Sequence, residues 1–368
     1  MPIPLSNQRL SNELLRLMSK RPTLISRVLC LLATVVVLGL PSDTLAGQQT
    51  SSRSSGTTTK KLSLKKTPAS SKYSASAASK RRASRAATAA RALREVQEPR
   101  FKLDASGALV PDVRAEAAII YDSATGHVLW ESNSTNQRSI ASITKVMTAA
   151  VFVENSPDLS ETIVVDRSDV RAASTTYLRA GYTVTKGDLM HLALIASDNA
   201  AARALARVSP YGTTAFIARM NEKAKELGLT STSYSDPSGL LAANVSSAYD
   251  MAKLITYVSA DERIAGVMRK QNYTVYAGRR MINIHSTNQL VMKGDYDVQA
   301  GKTGFIRSAG YCLATLLKLP SGPEVAVVVL GAKSNAGRFW ETRHLVDWFA
   351  TKASDLLSSP VEAATTTN

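Results

Sequence analysis

Cysteine is almost missing from this chain: 368 residues contain only Cys30 and Cys312. Two cysteines say little about a disulfide framework, but if the segment holding Cys30 is removed on export, no intramolecular bridge can form even in an oxidising compartment. Histidine is nearly as scarce. His127, His191, His285 and His344 show no metal-ligand spacing and no i, i+4 pair on a helix, so they read as surface or core residues and no metal or cofactor is expected. No Gly-rich phosphate loop occurs. Aromatic residues make up 6%, and Trp130, Trp340 and Trp348 each fall in or beside a predicted element, which favours core over a ligand platform. The N-terminal apolar run, Val28 to Leu40, is thirteen residues, short of the roughly 20 that a spanning helix needs. Acidic charge is also thin, with 29 Asp and Glu against 45 Lys and Arg, for a net charge of +16.

Such a charge suggests nucleic acid until it is located along the chain. Residues 47 to 100 hold thirteen basic and two acidic residues, for +11, and residues 1 to 46 hold five and two, for +3. Only +2 is left for residues 101 to 368, so the folded part is near neutral and no nucleic-acid partner is expected. Lys20, Arg21 and Arg27 precede the apolar run, and Thr44-Leu45-Ala46 offers small residues before Gly47. This pattern predicts a secretory signal peptide over residues 1–46 and a periplasmic protein, loosely membrane- or wall-associated; an uncleaved anchor is the alternative. From Gly47 onward the chain is Ser, Thr, Ala, Lys and Arg with almost no large apolar residue, and it cannot repay the entropy of ordering. Residues 47–108 are accordingly expected to be a disordered basic linker, with at most a transient helix over Ala83 to Leu93. Its charge fits either contact with an anionic envelope surface through residues 47–100 or a solvated spacer.

The folded domain is expected over 109–357, followed by a disordered tail, 358–368. Ala117 to Asp122 and His127 to Glu131 read as a hairpin around Ser123-Ala124-Thr125-Gly126. Thr185-Lys186-Gly187-Asp188 has a helix-capping pattern, and that helix stops at Ser197-Asp198-Asn199, where another begins. Phe216 to Leu227, closed by Gly228, and Tyr249 to Val258 are further helices. Ala309 to Leu319 and Val325 to Leu330 form a long hairpin, and Phe339 to Leu357 a closing helix. Helices in the middle and strands at both ends predict one sheet built from the two termini.

Ser142-Ile143-Thr144-Lys145 opens the apolar segment Ile140 to Val153. A serine hydroxyl is a poor nucleophile unless a base takes its proton, and a lysine three residues along a helix lies about 60° around the same face. Ile143, Val146, Ala150 and Val153 would border that face and hold Lys145 out of water. To act as a base near pH 7 the lysine needs its pKa lowered from about 10.4 by roughly three units, or about 4 kcal/mol. S-x-x-K is weak evidence by itself, since Ser63-Leu64-Lys65-Lys66 repeats it in low-complexity sequence. Lys302-Thr303-Gly304-Phe305 changes the odds: it lies on a predicted strand, after both Ser142 and the polar triplet at Ser197.

The set S-x-x-K, S-x-N and K-T-G, in that order with gaps of 55 and 105 residues, resembles the serine penicillin-recognising enzymes. Within them the chain is similar to the low-molecular-weight serine D-alanyl-D-alanine peptidases over about residues 110 to 350. That likeness includes Ser235-Asp236-Pro237-Ser238-Gly239-Leu240, Ser286-Thr287-Asn288 and Ala309-Gly310-Tyr311. It implies an α/β (α+β) fold, a three-layer sandwich with a mostly antiparallel sheet flanked by helices and a helical subdomain. It further implies Ser142 as acylated nucleophile, Lys145 as its base and Ser197 as proton relay to the leaving amine. Asn199 and Thr303 would bind substrate, Lys302 would orient Ser197, and Gly304 would let an extended peptide lie against the strand. The backbone N–H groups of Ser142 and Phe305 would make an oxyanion hole.

The implied partners are peptidoglycan stem peptides and, as covalent inhibitors, β-lactam antibiotics. A class A β-lactamase would place a glutamate within Ser231 to Pro237, where none occurs, and a non-catalytic wall-binding protein would not be expected to keep three intact motifs. Only 64 residues follow Gly304, and the final hairpin strand and closing helix use most of them. The chain thus resembles the shorter, anchorless D-alanyl-D-alanine endopeptidases of the penicillin-binding protein 7 type, with carboxypeptidase as the alternative activity.

Overall fold

The computed structural model describes residues 71–358, Ser321 excepted. The expected signal peptide, the first part of the basic linker and the tail beyond Ser358 lie outside the described residues.

Five strands form the central sheet: β1 (Ala117–Asp122), β2 (Val128–Ser132), β3 (Asp297–Ile306), β4 (Gly310–Lys318) and β5 (Glu324–Ala332). Their order is β3-β4-β5-β1-β2, with every neighbour antiparallel. The two ends of the domain meet where Val328 of β5 pairs with Ile119 of β1, as the placement of strands in the sequence predicts. Val325 to Leu330 carries no polar residue because both faces of the strand are covered. Alternation then sorts the side chains. Ile119, Leu316, Ala326 and Val328 join the core on one face, with Met147, Leu205, Met251 and Ile255 from the helices. Ile120, Leu313, Val327 and Val329 join the other, with Phe339, Leu345 and Val346 from the closing helix. The result is the expected three-layer sandwich.

Seven longer helices surround the sheet: α1 (Ser71–Gln97), α2 (Thr144–Val153), α3 (Lys186–Leu194), α4 (Asn199–Val208), α5 (Gly212–Glu226), α6 (Ala248–Ser259) and α7 (Asn335–Ser358). The capping pattern before α3 is realised as a box, Thr185 and Asp188 each bonding the other's backbone N–H. Gly228 closes α5 with φ +63. All ten residues of α2 are buried, so the helix has no solvent face and the predicted apolar stripe is wider than its four named positions. At about 1.5–3 kcal/mol for each large apolar side chain taken out of water, Val146, Met147, Phe152 and Val153 make α2 a fixed post. Sequence reasoning missed the hairpin Asn272–Ala277 with Arg280–His285, whose apolar/polar alternation is broken by Tyr276 and Met281 on the exposed side.

The basic segment differs from its expected disorder. Residues 71–97 are helical, and Phe101–Leu103 pairs with Leu109–Pro111. Ala89, Ala92, Leu93 and Val96 recur at i, i+3, i+4 and i+7 beside Ser334 and Ala336, a short apolar stripe that composition alone conceals. The end of α1 is held by side chains of the domain: Arg114 Nη2 donates to Glu95 O at 2.6 Å and His344 Nε2 lies 2.9 Å from Gln97 O. The Arg114 cation satisfies a free carbonyl at this C-terminus and complements the helix dipole, while burial pushes the His344 pKa down and favours its neutral ring.

Candidate active site

Ser142 sits in a 3-10 turn, Ala141–Ile143, that runs directly into α2. Ala141 enters that turn with φ 49, a left-handed conformation uncommon for a residue with a Cβ. One turn along, Lys145 is completely buried. Its Nζ lies 2.9 Å from Ser142 Oγ, 2.7 Å from Asn199 Oδ1 and 2.5 Å from Ser238 O. Three acceptors suit an ammonium group, yet none of the three is a carboxylate, so nothing adjacent fully compensates the buried charge. Burial pushes the Lys145 pKa down from 10.5 to about 7, with Arg203 acting in the same direction and Asp198 and Asp236 opposing. A pKa lowered to about 7 is the range that a base near neutrality would need.

Ser197 and Asn199 occupy the junction between α3 and α4. Asp198 caps α4, accepting from Ala201 N, and Ser197 takes φ 60 to make the corner. Such a conformation in a residue with a Cβ costs of order 1 kcal/mol and persists only where its surroundings hold it. Lys302 is the holder: from β3 its Nζ donates to Ser197 Oγ at 2.8 Å and to Thr303 O at 2.8 Å. Burial first, then the positive charges of Lys145 and Arg338, pushes the Lys302 pKa well down. Asn199 is fully engaged, since its Nδ2 donates to Ala173 O at 2.7 Å and to Ser174 Oγ at 3.3 Å. A substrate amide reaching Asn199 would displace the longer of those contacts. Thr303 Oγ1 is paired with Thr287 Oγ1 at 2.6 Å.

Gly304 has a nearer reason to lack a side chain than the passage of a peptide. A Cβ there would lie 2.6 Å from Ile140 O and 3.3 Å from Ser142 N, so the glycine lets β3 meet the turn that carries Ser142. Phe305, next along the strand, is 51% exposed and stacks on Tyr311 with ring centroids 4.3 Å apart. Ser142, Ser197, Asn199, Thr303, Gly304 and Phe305 line one cleft of about 480 Å³, together with Ser174, Thr175, Leu240, Arg307 and Arg338, while Lys145 and Lys302 are buried behind it.

Two supports of the site lie outside the three motifs. Asp236 Oδ1 accepts from Ser238 N, Ser238 Oγ and Gly239 N, and its Oδ2 from Leu241 N and Asn244 Nδ2, which fixes the loop presenting Ser238 O to Lys145. Gly239 completes it, because a Cβ at its φ of +80 would strike Ala141 O at 2.0 Å. Asp236 is also the only carboxylate within Ser231 to Pro237, and these five donors leave it unsuited to serve as a β-lactamase base. Arg338, at the start of α7, donates to Gly304 O at 2.9 Å and Cys312 O at 3.2 Å, pinning β3 to β4. Burial lowers its pKa to about 10. An Asp-x-Ser-Gly turn is a local signal open to sequence reading; an arginine 34 residues after Gly304 is not. Among the described residues no group of His, Cys, Asp or Glu is placed to hold a metal ion.

The family model described as D-alanyl-D-alanine carboxypeptidase, Peptidase S11, matches residues 104–334. A D-alanyl-D-alanine endopeptidase of Escherichia coli strain K12 is 34% identical over 252 residues, 67% of this chain and 81% of the relative. A D-alanyl-D-alanine carboxypeptidase of the same organism is 32% identical over 250 residues, 65% of this chain and 62% of the relative. Among solved structures, a D-alanyl-D-alanine carboxypeptidase from Mycobacterium tuberculosis superposes with a TM-score of 0.62 at 26% identity, covering 68% of this chain and 96% of that one. A match that spans most of the folded region, with the three motifs gathered in one cleft, settles the affiliation: this chain belongs to the S11 peptidases, the D-alanyl-D-alanine carboxypeptidase family.

Proposed function

We propose that the protein is a serine D-alanyl-D-alanine endopeptidase that hydrolyses peptidoglycan cross-links through an acyl-enzyme on Ser142. The observation that carries this reading is the buried, uncompensated Lys145 at 2.9 Å from Ser142 Oγ. Neutral Lys145 takes the hydroxyl proton as Oγ attacks the D-alanyl carbonyl. The C–N bond breaks as the proton taken by Lys145 is relayed through Ser197, oriented by Lys302, to the leaving amine, so that Lys145 is neutral again and Ser197 keeps its hydroxyl. Water then cleaves the ester and restores Ser142. The amides of Ser142 and Phe305 stabilise the oxyanion, a role supported by the contact of Gly304 with the Ser142 turn. Thr303 and Asn199 hold the peptide, and β3, the edge strand of the sheet, offers it a backbone to pair with.

Preference for a cross-link over a terminal D-alanine is supported by the relatives: the alignment covers 81% of the endopeptidase but 62% of the carboxypeptidase. Both activities share one acylation and differ in the amine that leaves. Digestion of a cross-linked muropeptide dimer beside a monomeric pentapeptide, read by mass spectrometry, decides between them. Cleavage of the dimer is expected; trimming of the pentapeptide with the dimer intact would make the enzyme a carboxypeptidase.

A periplasmic location and reaction with β-lactams belong to the same proposal, as does contact of residues 47–100 with an anionic envelope surface. Lys80, Arg81, Arg82, Arg85, Arg91 and Arg94 all lie exposed on α1, which supports such contact. No described helix is long and apolar enough to cross a membrane.

A further inference from the structure

The cleft continues past Phe305. A second recess of about 370 Å³ opens on the far side of that ring and shares Phe305 and Arg307 with the catalytic cleft, so one extended molecule can occupy both. Arg138, Arg307 and Lys333 line it against a single carboxylate, Glu116. Glu116 is already paired with Lys333, whose hydrogen bond, and then its charge, holds the Glu116 pKa below the usual range.

Arg138 has donors to spare. Its Nη2 reaches Ala309 O only at 3.5 Å, and its buried Nε has no partner among the described residues. The backbone also keeps space for this guanidinium: at Gly331, φ +75, a Cβ would lie 2.4 Å from Arg138 Nη2. Arg307 is exposed at the end of β3, three residues beyond Gly304. At about 3.3 Å per residue, a peptide paired along this edge reaches Arg307 roughly 10 Å from the bond held at Ser142. That span is two to three residues of substrate. A stem residue at that distance with a carboxylate not used in the peptide chain would present it to this recess.

We propose that the recess formed by Arg138, Arg307 and Lys333 is a carboxylate-binding subsite for the stem peptide lying along β3. The inference rests on the peptidase reading above and adds a determinant of which stems are accepted. Arg138 and Arg307 are fork-shaped donors suited to a carboxylate, while Lys333 supplies charge and is itself held by Glu116.

The test uses the full chain and four substrates: cross-linked dimer and monomeric pentapeptide, each with free stem carboxylates and with those carboxylates amidated. The quantity read is the ratio of kcat/KM for the free acid over the amide. Arg307→Ala should lower that ratio by about fivefold, Arg307→Glu should bring it below one, and Arg307→Lys should retain part of it. Lys333→Ala should lower it as well. Both side chains are exposed, so these variants fold. An equal ratio in wild type and Arg307→Glu overturns the subsite. If only the pentapeptide is cut, and its ratio still depends on Arg307, the subsite stands and the endopeptidase reading falls.

Discussion

If Lys145 is the base, the rate at which penicillin acylates Ser142 must follow the neutral fraction of one buried amine. Lowering a lysine from 10.5 to about 7 is worth about 5 kcal/mol at 1.36 kcal/mol per pH unit, and burial is its largest cause. The sign follows from the role. Below the folded pKa the amine is protonated and cannot accept the Ser142 proton, so the acylation constant should fall about tenfold per pH unit from pH 6 to pH 5. Near pH 7 it should reach half its plateau, and above pH 8 it should be flat. Arg203 lies outside the cleft and favours the neutral form, so Arg203→Gln should move the midpoint to higher pH while leaving the plateau nearly unchanged. Stopped-flow acylation with a fluorescent penicillin between pH 5 and 10 measures both. A profile that keeps climbing to pH 10 would mean an ordinary lysine; one that is flat from pH 5 would remove Lys145 as the base.

Ser142→Ala should lose all covalent penicillin label while keeping its melting transition, and label retained by the folded variant would displace Ser142 as nucleophile. Gly304→Ala puts a methyl group 2.6 Å from Ile140 O, which should lower stability by about 1–3 kcal/mol and acylation by about 10²-fold. Denaturant unfolding and label kinetics check the two effects, and wild-type values in both would show that the Ser142 turn can retreat from β3. Retention on anionic vesicles or sacculi should depend on residues 47–100 and weaken steeply as salt rises. Equal retention of full-length and linker-deleted protein at low ionic strength leaves only the spacer role.

What could be read from the sequence, and what could not, divides by range. The hairpin, the Thr185 cap, the α3–α4 junction and β5 were legible because capping, alternation and apolar runs are signals within a dozen residues. Ser142, Ser197 and Lys302 were legible only as a set, because three short motifs in fixed order restrict one another where each alone does not. The gathering itself is a property of packing. The motifs name Gly239 and Gly304 but are silent on what these residues do in packing: they let two segments close on Ala141 and Ile140 from either side, and that closure sets where Ser142 stands. Arg338 is silent in sequence, since its partners Gly304 O and Cys312 O are backbone atoms on strands that meet only in the folded sheet. Among the described residues, composition misled over residues 71–108, where many Lys, Arg and Ala residues outweighed a stripe of four small and apolar side chains. That stripe is too slight to order the segment alone. It works with Arg114 and His344, which bond the last carbonyls of α1, and neither residue can be matched to that helix end before the domain is folded.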